Sequence, residues 1–561
     1  MLYILTKIDD MMYFPILVII MAVAGLIFTF RTRFVQLRQL REACRLIMEK
    51  PADKAHVSSF QALMVSTASR VGTGNIIGVS TAICLGGPGA VFWMWGMCII
   101  GAASAFIEST LAQVFKQRDT DGGCYGGPAY YIQRVVKGRR WLSILFCFFL
   151  LATYAFGFNL LCSFNLQSSF AAYSFYHQRW TPVIVGGVLA VLVAYCLFGG
   201  GKRIVRLTEI VVPFMGIFYV IIALIIIFAH ITSIPHMFVM IFKDAFDFRS
   251  IFGGISGSCM IYGIKRGLYS NEAGVGSAPN ASASATVSHP VKQGLVQTVS
   301  VYIDTMLLCT ATALMCLSSG VRHSAETSGA PYVQNAISTV FGGAGPVFIT
   351  ISLSLFAFTT LLGNLYYTDN ALAYMNHYKK PSKRFMNGFY FVCVLIIFVG
   401  AIIPMDAAWA FADISMGGMT LINLPCCFIL SGIAIKALKD YEKQKRPGRT
   451  RPSMLQLLTS RRMKIITGDD LFLFMSEAVF CSGSKTRYVL AVLKDCQCRY
   501  NCEHNTYLDQ KRSRIFKPPC CSKDIALDCQ SCCRTHGRQR DISGRNRQND
   551  KQHKQCRNHQ R

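Results

Sequence analysis

The chain has 561 residues, of which 52% are hydrophobic and 15% are charged. This composition is too apolar and too poor in charge for an ordinary soluble enzyme of this length, and it predicts a protein embedded in a bilayer. The formal net charge of +28 would also fit a nucleic-acid-binding protein. The positions of the charges along the chain decide between these two classes.

Apolar runs of about 20 residues, the length that crosses roughly 30 Å of hydrocarbon as a helix, recur from residue 13 to residue 434. No short apolar stretch with a small-residue cleavage site precedes them, which favours a retained first helix over a signal peptide. We therefore predict an all-α polytopic membrane protein of about eleven transmembrane helices. The runs lie at 13–30, 57–84, 90–115, 141–175, 181–199, 205–230, 250–283, 294–319, 343–375, 384–403 and 406–434.

Lysine and arginine are concentrated in alternate loops between these runs. Twenty-one of them lie in the loops at 31–56, 116–140, 200–206, 279–293 and 376–384. The intervening segments carry only Lys7, Arg179, Lys243 and Arg322, with Arg249 at a boundary. This positive-inside bias predicts an N-terminus outside the cell and a C-terminus in the cytoplasm, in a multi-pass protein of the cell (inner) membrane. The basicity thus indicates anionic lipid and excludes nucleic acid as the partner.

The segment 31–50, RTRFVQLRQLREACRLIMEK, alternates basic and apolar positions at helical spacing. We expect an amphipathic helix on the cytoplasmic face, with a solvated linker as the alternative. Residues 1–56 are thus predicted to form an extra N-terminal unit, one transmembrane helix followed by this amphipathic helix.

Two runs are interrupted by glycines and polar residues. The first contains SRVGTGNIIG at 69–78, and the second, 250–283, lies five helices later. Two groups of five helices in opposite orientations, at 57–230 and 250–434, are the pattern of an inverted-repeat secondary transporter. Backbone groups freed by a break in hydrocarbon need partners, so we expect the breaks to bind ions and substrate. The alternative is that the glycines only allow close helix packing.

The last segment, 435–561, is predicted to be a cytoplasmic tail that is largely disordered or non-native after about residue 446. Residues 460–561 are polar and basic and have no hydrophobic pattern that could form a core. Ten of the 23 cysteines lie there with His504 and His536, so a zinc cluster is the alternative. No C-x2-C repeat with matching halves supports it.

The first interruption carries groups that suit a small charged molecule. Asn75 supplies a carbonyl oxygen and amide donors, Thr73 supplies a hydroxyl, and glycines at 72, 74 and 78 expose the backbone. Neutral oxygens suit a monovalent cation such as sodium, and the N-terminus of the following half-helix favours a carboxylate. The segment therefore predicts a site for a zwitterion and a cation.

Four stretches resemble signatures of the alanine or glycine:cation (sodium:alanine) symporter family, which is of the amino acid-polyamine-cation type. They are VSTASRVGTGNIIGVSTAICLGGPGAVFWMWG, IKRGLYSNEAGVGSAPNASASATVSHPVKQGLVQ, YIDTMLLCTATAL and GGPAYYIQ. The resemblance covers about residues 13–440. It implies a leucine-transporter-like fold of two inverted five-helix repeats preceded by one extra helix. It also implies uptake of small neutral amino acids such as alanine and glycine with sodium or, in some members, protons, and no catalysed reaction and no cofactor.

The same resemblance implies roles for individual residues, because VGTGN resembles the unwound first core helix that binds ion and substrate. The implied substrate-binding residues are Ser69, Thr73, Gly74, Gln167, Gly254, Ser256, Gly257, Met260 and Asn364. The implied cation-binding residues are Ala68, Val71, Asn75, Thr359 and Thr360. No resident metal site is implied, since sodium is transported.

Asn364 departs from the family pattern, in which carriers of alanine or glycine often have a tryptophan at this position. A smaller, polar side chain predicts a larger pocket that also accepts glutamine, serine or asparagine. Two acids, Glu272 and Asp304, fit a gate or a cap better than a contact with the substrate. The hydroxyls of Thr359 and Thr360 also fit the common hydrogen bond to a carbonyl one turn back in a membrane helix.

Lys265 and Arg266 lie inside the second interrupted run and are costly in lipid, so we expect them near a helix end at the cytoplasmic side. Two other functional classes stay open from the sequence: a channel, or a membrane enzyme that uses the same polar residues. No HExxH or GxSxG grouping occurs in the spans to support an enzyme.

Overall fold

The computed structural model describes five stretches of the chain: 2–49, 57–118, 124–247, 259–403 and 405–445. The tail after residue 445 and three of the expected pocket residues, Gly254, Ser256 and Gly257, lie outside the described residues. Within them, nearly everything is helical. One short antiparallel hairpin is formed by β1 (Gln117–Arg118) and β2 (Cys124–Tyr125).

The helices of the first half lie between residues 2 and 245. They are α1 (Leu2–Met11), α2 (Val18–Arg31), α3 (Val35–Arg38), α4 (Leu40–Ile47), α5 (Ser59–Arg70), α6 (Ile77–Gly86), α7 (Ala90–Val114), α8 (Pro128–Val135), α9 (Trp141–Leu151), α10 (Phe158–Ser168), α11 (Trp180–Leu197), α12 (Gly201–Ala229) and α13 (Ile234–Ala245). The expected amphipathic helix at 31–50 is thus two short helices, α3 and α4. A turn at Arg33 and Phe34 with positive φ separates them from α2.

The helices of the second half lie between residues 259 and 444. They are α14 (Cys259–Asn271), α15 (Pro279–Ser284), α16 (Pro290–Val301), α17 (Thr310–Ser318), α18 (Ala330–Phe341), α19 (Ala344–Met375), α20 (Lys383–Gly400) and α21 (Met405–Gln444). Wider π-helical turns continue three pairs of helices, α1 into α2, α9 into α10 and α16 into α17. These turns are Met12–Leu17, Ala152–Gly157 and Tyr302–Cys309.

Nine helices, some of them joined by these turns, are long and apolar enough to cross a membrane within the described part of the chain. They are Leu5–Arg31, Ala90–Val114, Trp141–Ala172, Trp180–Leu197, Gly201–Ala229, Pro290–Ser318, Ala344–Met375, Lys383–Gly400 and Ala408–Gln444. The two interrupted helices, α5–α6 and α14–α15, fall second and seventh in chain order. The prediction of an all-α polytopic membrane protein is confirmed.

The first interrupted helix begins at a strong signal and breaks where the sequence predicted. The Ser58 side chain accepts from the backbone N–H of Gln61, and the Gln61 side chain accepts from the N–H of Ser58, which is a capping box. The helix ends at Arg70, because Gly72 is extended, with φ −132° and ψ −159°. One 3-10 turn, Thr73–Asn75, precedes α6.

The second interrupted helix is broken between Asn271 and Pro279. Helix α14 ends at Asn271, and α15 begins only at Pro279. Between them Glu272, Gly274 and Gly276 have φ values of 51°, 94° and 89°, a left-handed conformation that ends a helix. The pocket residues expected at 254–257 lie outside the described residues, and the break that the structure describes is the segment SNEAGVGSAP.

The two interrupted helices run side by side in opposite directions. Helix α14, before the second break, packs against α6, after the first break, while α15 packs against α5. Parts of both interrupted helices, α6, α14 and α15, also contact α7. The two breaks therefore meet, as an inverted repeat requires.

The basic loops gather at one end of the bundle. Lys292 and Glu49 form an ion pair at 2.5 Å, and the Lys116 side chain donates to the carbonyl of Ala285. Arg140 donates to the carbonyl of Tyr374. Loops that the charge pattern assigns to one side of the membrane are thus adjacent in space.

Candidate functional site

At the first break, backbone carbonyl oxygens are within reach of the Thr360 side chain. The Thr360 hydroxyl lies 3.1 Å from the carbonyl oxygen of Ala68 and 3.5 Å from that of Val71. These three oxygens come from two helices that are far apart in sequence, and all three residues are buried. Neutral oxygens gathered in this way suit a hard monovalent cation.

Thr359, the neighbouring residue, is engaged differently. Its hydroxyl donates to the carbonyls of Leu355 and Phe356, at 2.9 and 3.1 Å, and contacts the sulfur of Met215 at 3.3 Å. This is the bond to a carbonyl one turn back that the sequence left as the alternative. Of the two threonines, only Thr360 reaches across to the break.

The helices approach each other closely here because glycines lie at the contacts. A Cβ atom on Gly72 would lie 2.4 Å from the hydroxyl oxygen of Thr360, and one on Gly363 would lie 2.6 Å from the backbone nitrogen of Ser69. Any larger residue at either position would push α19 away from α5. The close packing and the binding geometry therefore use the same glycines.

Thr73 and Gly74, the expected carboxylate contacts, face α10 and α14. The Nδ2 of Asn165 donates to the Thr73 hydroxyl at 3.0 Å, and a Cβ on Gly74 would lie 2.5 Å from the ring of Tyr269. The other amide atom, Oδ1 of Asn165, is buried without a hydrogen-bond partner among the described residues. Asn165 and Tyr269 are site residues that the sequence analysis missed.

Gln167, the residue expected to reach the site from the same helix, lies elsewhere. Its Oε1 accepts from the hydroxyl of Tyr176 at 3.3 Å. Two residues along an α-helix correspond to a rotation of about 200°, so Asn165 and Gln167 point to nearly opposite sides of α10. Only the first of them faces the break.

Asn75 joins the first break to a buried acid. Its Oδ1 accepts from the N–H of Gly72 at 2.9 Å, and its Nδ2 donates to Oδ1 of Asp304 at 2.7 Å. The other carboxylate oxygen of Asp304 accepts from the hydroxyls of Ser270 at 2.5 Å and Thr305 at 2.9 Å. All of these side chains are buried, so a cluster of oxygens with one acidic group lies against the break.

A second row of hydrogen-bonded polar side chains connects the two breaks to α19 and α10. The Ser69 hydroxyl lies 3.2 Å from Glu272 and 2.8 Å from Oδ1 of Asn364. The Nδ2 of Asn364 in turn donates to Oδ1 of Asn159 at 3.1 Å. The Asn364 amide is therefore held on both sides by protein groups.

Arg70, at the end of α5, is among the largest fully buried side chains. Its Nη1 lies 3.5 Å from Oε1 of Gln297, while Nε and Nη2 have no hydrogen-bond partner among the described residues. Its positive charge acts on three buried acids, Glu108, Glu272 and Asp304. Arg70 therefore offsets part of the negative charge that the two breaks gather.

The second break is held from the side by α21. The Nδ2 of Asn423 donates to the carbonyl of Gly274 at 2.9 Å and to Glu108 at 2.6 Å. The Oδ1 of Asn423 accepts from the hydroxyl of Tyr131 at 2.6 Å. A backbone carbonyl freed by the break is thus satisfied inside the protein, as hydrocarbon surroundings demand.

Lys265 and Arg266 are buried in the middle of α14, beside acids of α1 and α21. Lys265 pairs with Asp9 of α1 at 2.6 Å, and Arg266 lies 3.7 Å from Asp413 and 3.8 Å over the ring of Trp409. Asp9 lies near the start of the span Leu5–Arg31, which ends at the basic loop 31–56. A cytoplasmic position for these two residues and an outside N-terminus are therefore incompatible expectations, and the loop charges favour the second.

The remaining expected pocket residue, Met260, lies away from the break at 272–278. It is partly buried near the start of α14, and about 16 Å of helix separate it from Asn271. The residues that the structure brings together are Ala68, Ser69, Val71, Thr73, Gly74, Asn75, Thr360 and Asn364.

The sequence of this chain is similar to the sequences of several named transport proteins. The family model described as the sodium:alanine symporter family matches residues 1–455. The "Probable sodium/glutamine symporter GlnT" of Bacillus subtilis is 40% identical over 79% of this chain and 91% of its own length. The "Amino-acid carrier protein AlsT" of the same species is 42% identical over 76% and 89%. The "Sodium/alanine symporter AgcS" of Methanococcus maripaludis is 34% identical over 78% and 97%.

Proposed function

Since the chain belongs to the sodium:alanine symporter family, we propose that it imports small neutral amino acids together with sodium by alternating access. The observation that carries this proposal is the meeting of the two breaks, where the carbonyls of Ala68 and Val71 lie beside Thr360. Family membership argues against the channel and the membrane enzyme that the sequence left open.

The substrate is proposed to bind beside Thr73 and Gly74. The N-terminus of α6 directs partial positive charge towards this point, which favours the carboxylate of an amino acid. The Oδ1 of Asn165 is buried and has no hydrogen-bond partner in the part of the chain that the structure describes, while the Nδ2 of the same amide contacts Thr73. This oxygen is an acceptor suited to the ammonium group. Tyr269 packs over Gly74 and limits the space for the side chain.

The coupling sodium is proposed to bind between α5 and α19, to the carbonyls of Ala68 and Val71 and the hydroxyl of Thr360. Thr359 was expected to be a second hydroxyl ligand, and its bonds to its own helix support a structural role instead. Binding an ion here ties the broken helix to α19, so occupancy would favour one arrangement of the bundle over another.

A second coupling position is proposed at Asp304 and Asn75. A carboxylate buried in the membrane region needs a neutralising charge, and Arg70 is shared among three acids. Either a second sodium ion or a proton would supply that charge. Transport responds to a sodium gradient alone if a second sodium ion binds here, and also to a pH gradient if a proton binds.

The pocket is proposed to accept substrates larger than alanine, including glutamine and serine. Asn364 occupies the position where the family's alanine and glycine carriers often have tryptophan, and a relative named a probable sodium/glutamine symporter is 40% identical. Ser69 and Asn159 use one donor and one acceptor of the Asn364 amide. One N–H and one lone pair remain for a polar substrate side chain.

We further propose the cell membrane as its location, with the N-terminus outside and the C-terminus in the cytoplasm. The gathering of the basic loops at one end supports a single cytoplasmic face. Labelling of cysteines introduced at Tyr3 and Lys380 in intact cells tests this orientation. Only the first position should react with an impermeant reagent.

Uptake of labelled alanine and glutamine into proteoliposomes tests the function, with an inward sodium gradient, an inward proton gradient or neither. We expect saturable uptake that requires the sodium gradient. Uptake that fails to saturate, or that runs without any gradient, would contradict a symporter.

Thr360→Val and Thr359→Val form a matched pair for the sodium site, since both remove one hydroxyl and keep the size of the side chain. We expect the first to raise the half-saturating sodium concentration about tenfold or more and the second to change it little. An equal change of the half-saturating sodium concentration in both variants would support Thr359 as a second sodium ligand.

A further inference from the structure

A cleft lies at the end of the bundle where the basic loops gather, between the turn after α2 and the last turns of α21. Five basic residues and one acid line it: Arg31, Arg33, Arg38, Lys439, Lys443 and Glu442. Ile435 and Leu438 add an apolar part to the wall. The cleft is remote from the two breaks, and transport does not explain its charge.

The positive charges in the cleft are not balanced by the protein. Glu442 is committed to Arg38, at 2.7 Å. Arg33, Lys439 and Lys443 are exposed and have no ion pair with a carboxylate in the part of the chain that the structure describes. Like charges gathered around one cleft repel each other, so an anion bound between them would be stabilised.

An apolar surface adjoins the charged cleft. Phe30, Phe34 and Leu37 are 63%, 44% and 52% exposed, and the rings of Phe30 and Phe34 contact each other edge to face with centroids 5.4 Å apart. These residues flank Arg31, where the apolar span Leu5–Arg31 ends and the hydrocarbon should give way to headgroups. An anion bound here would therefore have hydrocarbon beside it.

The backbone of the turn holds the charged and apolar residues together. Arg33 and Phe34 both have positive φ, 57° and 55°, which non-glycine residues adopt rarely. The turn is closed by the N–H of Phe34, which donates to the carbonyl of Thr29 at 2.8 Å. The hydroxyl of Thr32 also donates to the carbonyl of Phe28 at 2.7 Å. The turn is thus built into the fold and keeps Arg33 and Phe34 beside the cleft.

We propose that this cleft binds the phosphate headgroup of an anionic phospholipid whose acyl chains lie against Phe30, Phe34 and Leu37. The basic residues recognise the phosphate, and the exposed rings distinguish a lipid from a soluble phosphate compound. The bound lipid joins the extra N-terminal helix to the end of α21. This site is independent of the proposed transport function.

Native mass spectrometry of the purified full-length protein tests the proposal, with phosphatidylglycerol or phosphatidylcholine added at matched concentrations. The test variant is Arg33→Gln/Lys439→Gln/Lys443→Gln. The control is Lys379→Gln/Lys383→Gln/Arg384→Gln, which removes the same charges from exposed residues of another basic loop. We expect the wild type and the control to retain one phosphatidylglycerol, and the test variant to bind it about 10- to 100-fold more weakly.

Equal retention by the test and control variants would overturn the site. Competition with soluble glycerol phosphate distinguishes the two sources of a phosphate group. We expect millimolar glycerol phosphate to leave the bound lipid in place, because it lacks the acyl chains that contact the phenylalanine rings. Displacement of the lipid by this compound, or equal retention of phosphatidylcholine, would also refute the proposal.

Discussion

Gly72→Ala is the sharpest test of the proposed sodium site. The backbone at Gly72 is extended, so alanine can adopt this conformation without strain. The substitution therefore acts only through the contacts of the added methyl group. The new Cβ would lie 2.4 Å from the hydroxyl oxygen of Thr360, where ordinary contact begins about 1 Å further away. The threonine side chain must therefore withdraw from the carbonyls of Ala68 and Val71.

Two effects of this change are expected. Overpacking of this kind typically costs about 1–3 kcal/mol of stability. If the withdrawal of one ligand weakens sodium binding by a similar free energy, the half-saturating sodium concentration rises about 5- to 150-fold. Sodium-dependent alanine uptake in proteoliposomes measures the second effect, and thermal unfolding in detergent measures the first. Gly78→Ala is the control, because the nearest atom to its Cβ would be 3.9 Å away.

The double variant Gly72→Ala/Thr360→Ala separates packing from ion binding. Removing the hydroxyl makes room for the new methyl group, so thermal stability should recover. Sodium affinity should remain low, because the ligand is gone. If sodium affinity recovers with stability, or if Gly72→Ala leaves it unchanged, Thr360 does not bind the coupling ion.

Three further predictions follow from other parts of the structure. Lys265→Met leaves the buried Asp9 carboxylate without its partner and should lower the free energy of unfolding by about 3–5 kcal/mol, as measured by thermal unfolding. The additional substitution Asp9→Asn should recover most of this loss, and no recovery would contradict the pairing. Burial lowers the pKa of His289 despite the nearby Asp440 carboxylate, so the unfolded chain binds the proton more readily. The contribution of His289 to stability should be constant above about pH 6.5 and fall below it. His289→Asn should reduce the fall of the melting temperature from pH 8 to pH 5, whereas an unchanged profile would exclude His289 as a cause. Asn364→Trp should shift uptake competition towards alanine over glutamine by about tenfold or more; an unchanged ranking would refute the role of Asn364 in substrate size.

Much of the fold is readable from local properties of the chain. Each apolar run predicted from residue 13 onwards coincides with a long helix or with one of the two interrupted helices. The break at Val71 to Ile76 was predicted because glycine and asparagine interrupt an apolar run there. Hydrophobicity and helix-breaking residues act over a few neighbours, and a reader of the sequence sees those neighbours directly.

The second interruption shows what this reading leaves open. Both 253–257 and 272–278 contain glycines and polar residues, so composition alone offers two places for a break, and the first of them lies outside the described residues. The structure places the break at Glu272, Gly274 and Gly276, where positive φ values occur and α21 supplies Asn423 to bind a freed carbonyl. Asn423 lies about 150 residues from Gly274 in sequence, so no local pattern predicts this hydrogen bond.

By itself, the sequence determined the class of the protein, the positions of its long apolar helices and the position of the first break. Only the tertiary structure decided which side chains surround that break. Asn165 rather than Gln167 reaches Thr73, and the carboxylate of Asp304 contacts Asn75. The physical reason is that such contacts depend on the rotation and separation of helices packed from distant parts of the chain. Those quantities follow from the packing of the whole bundle, and no short segment encodes them.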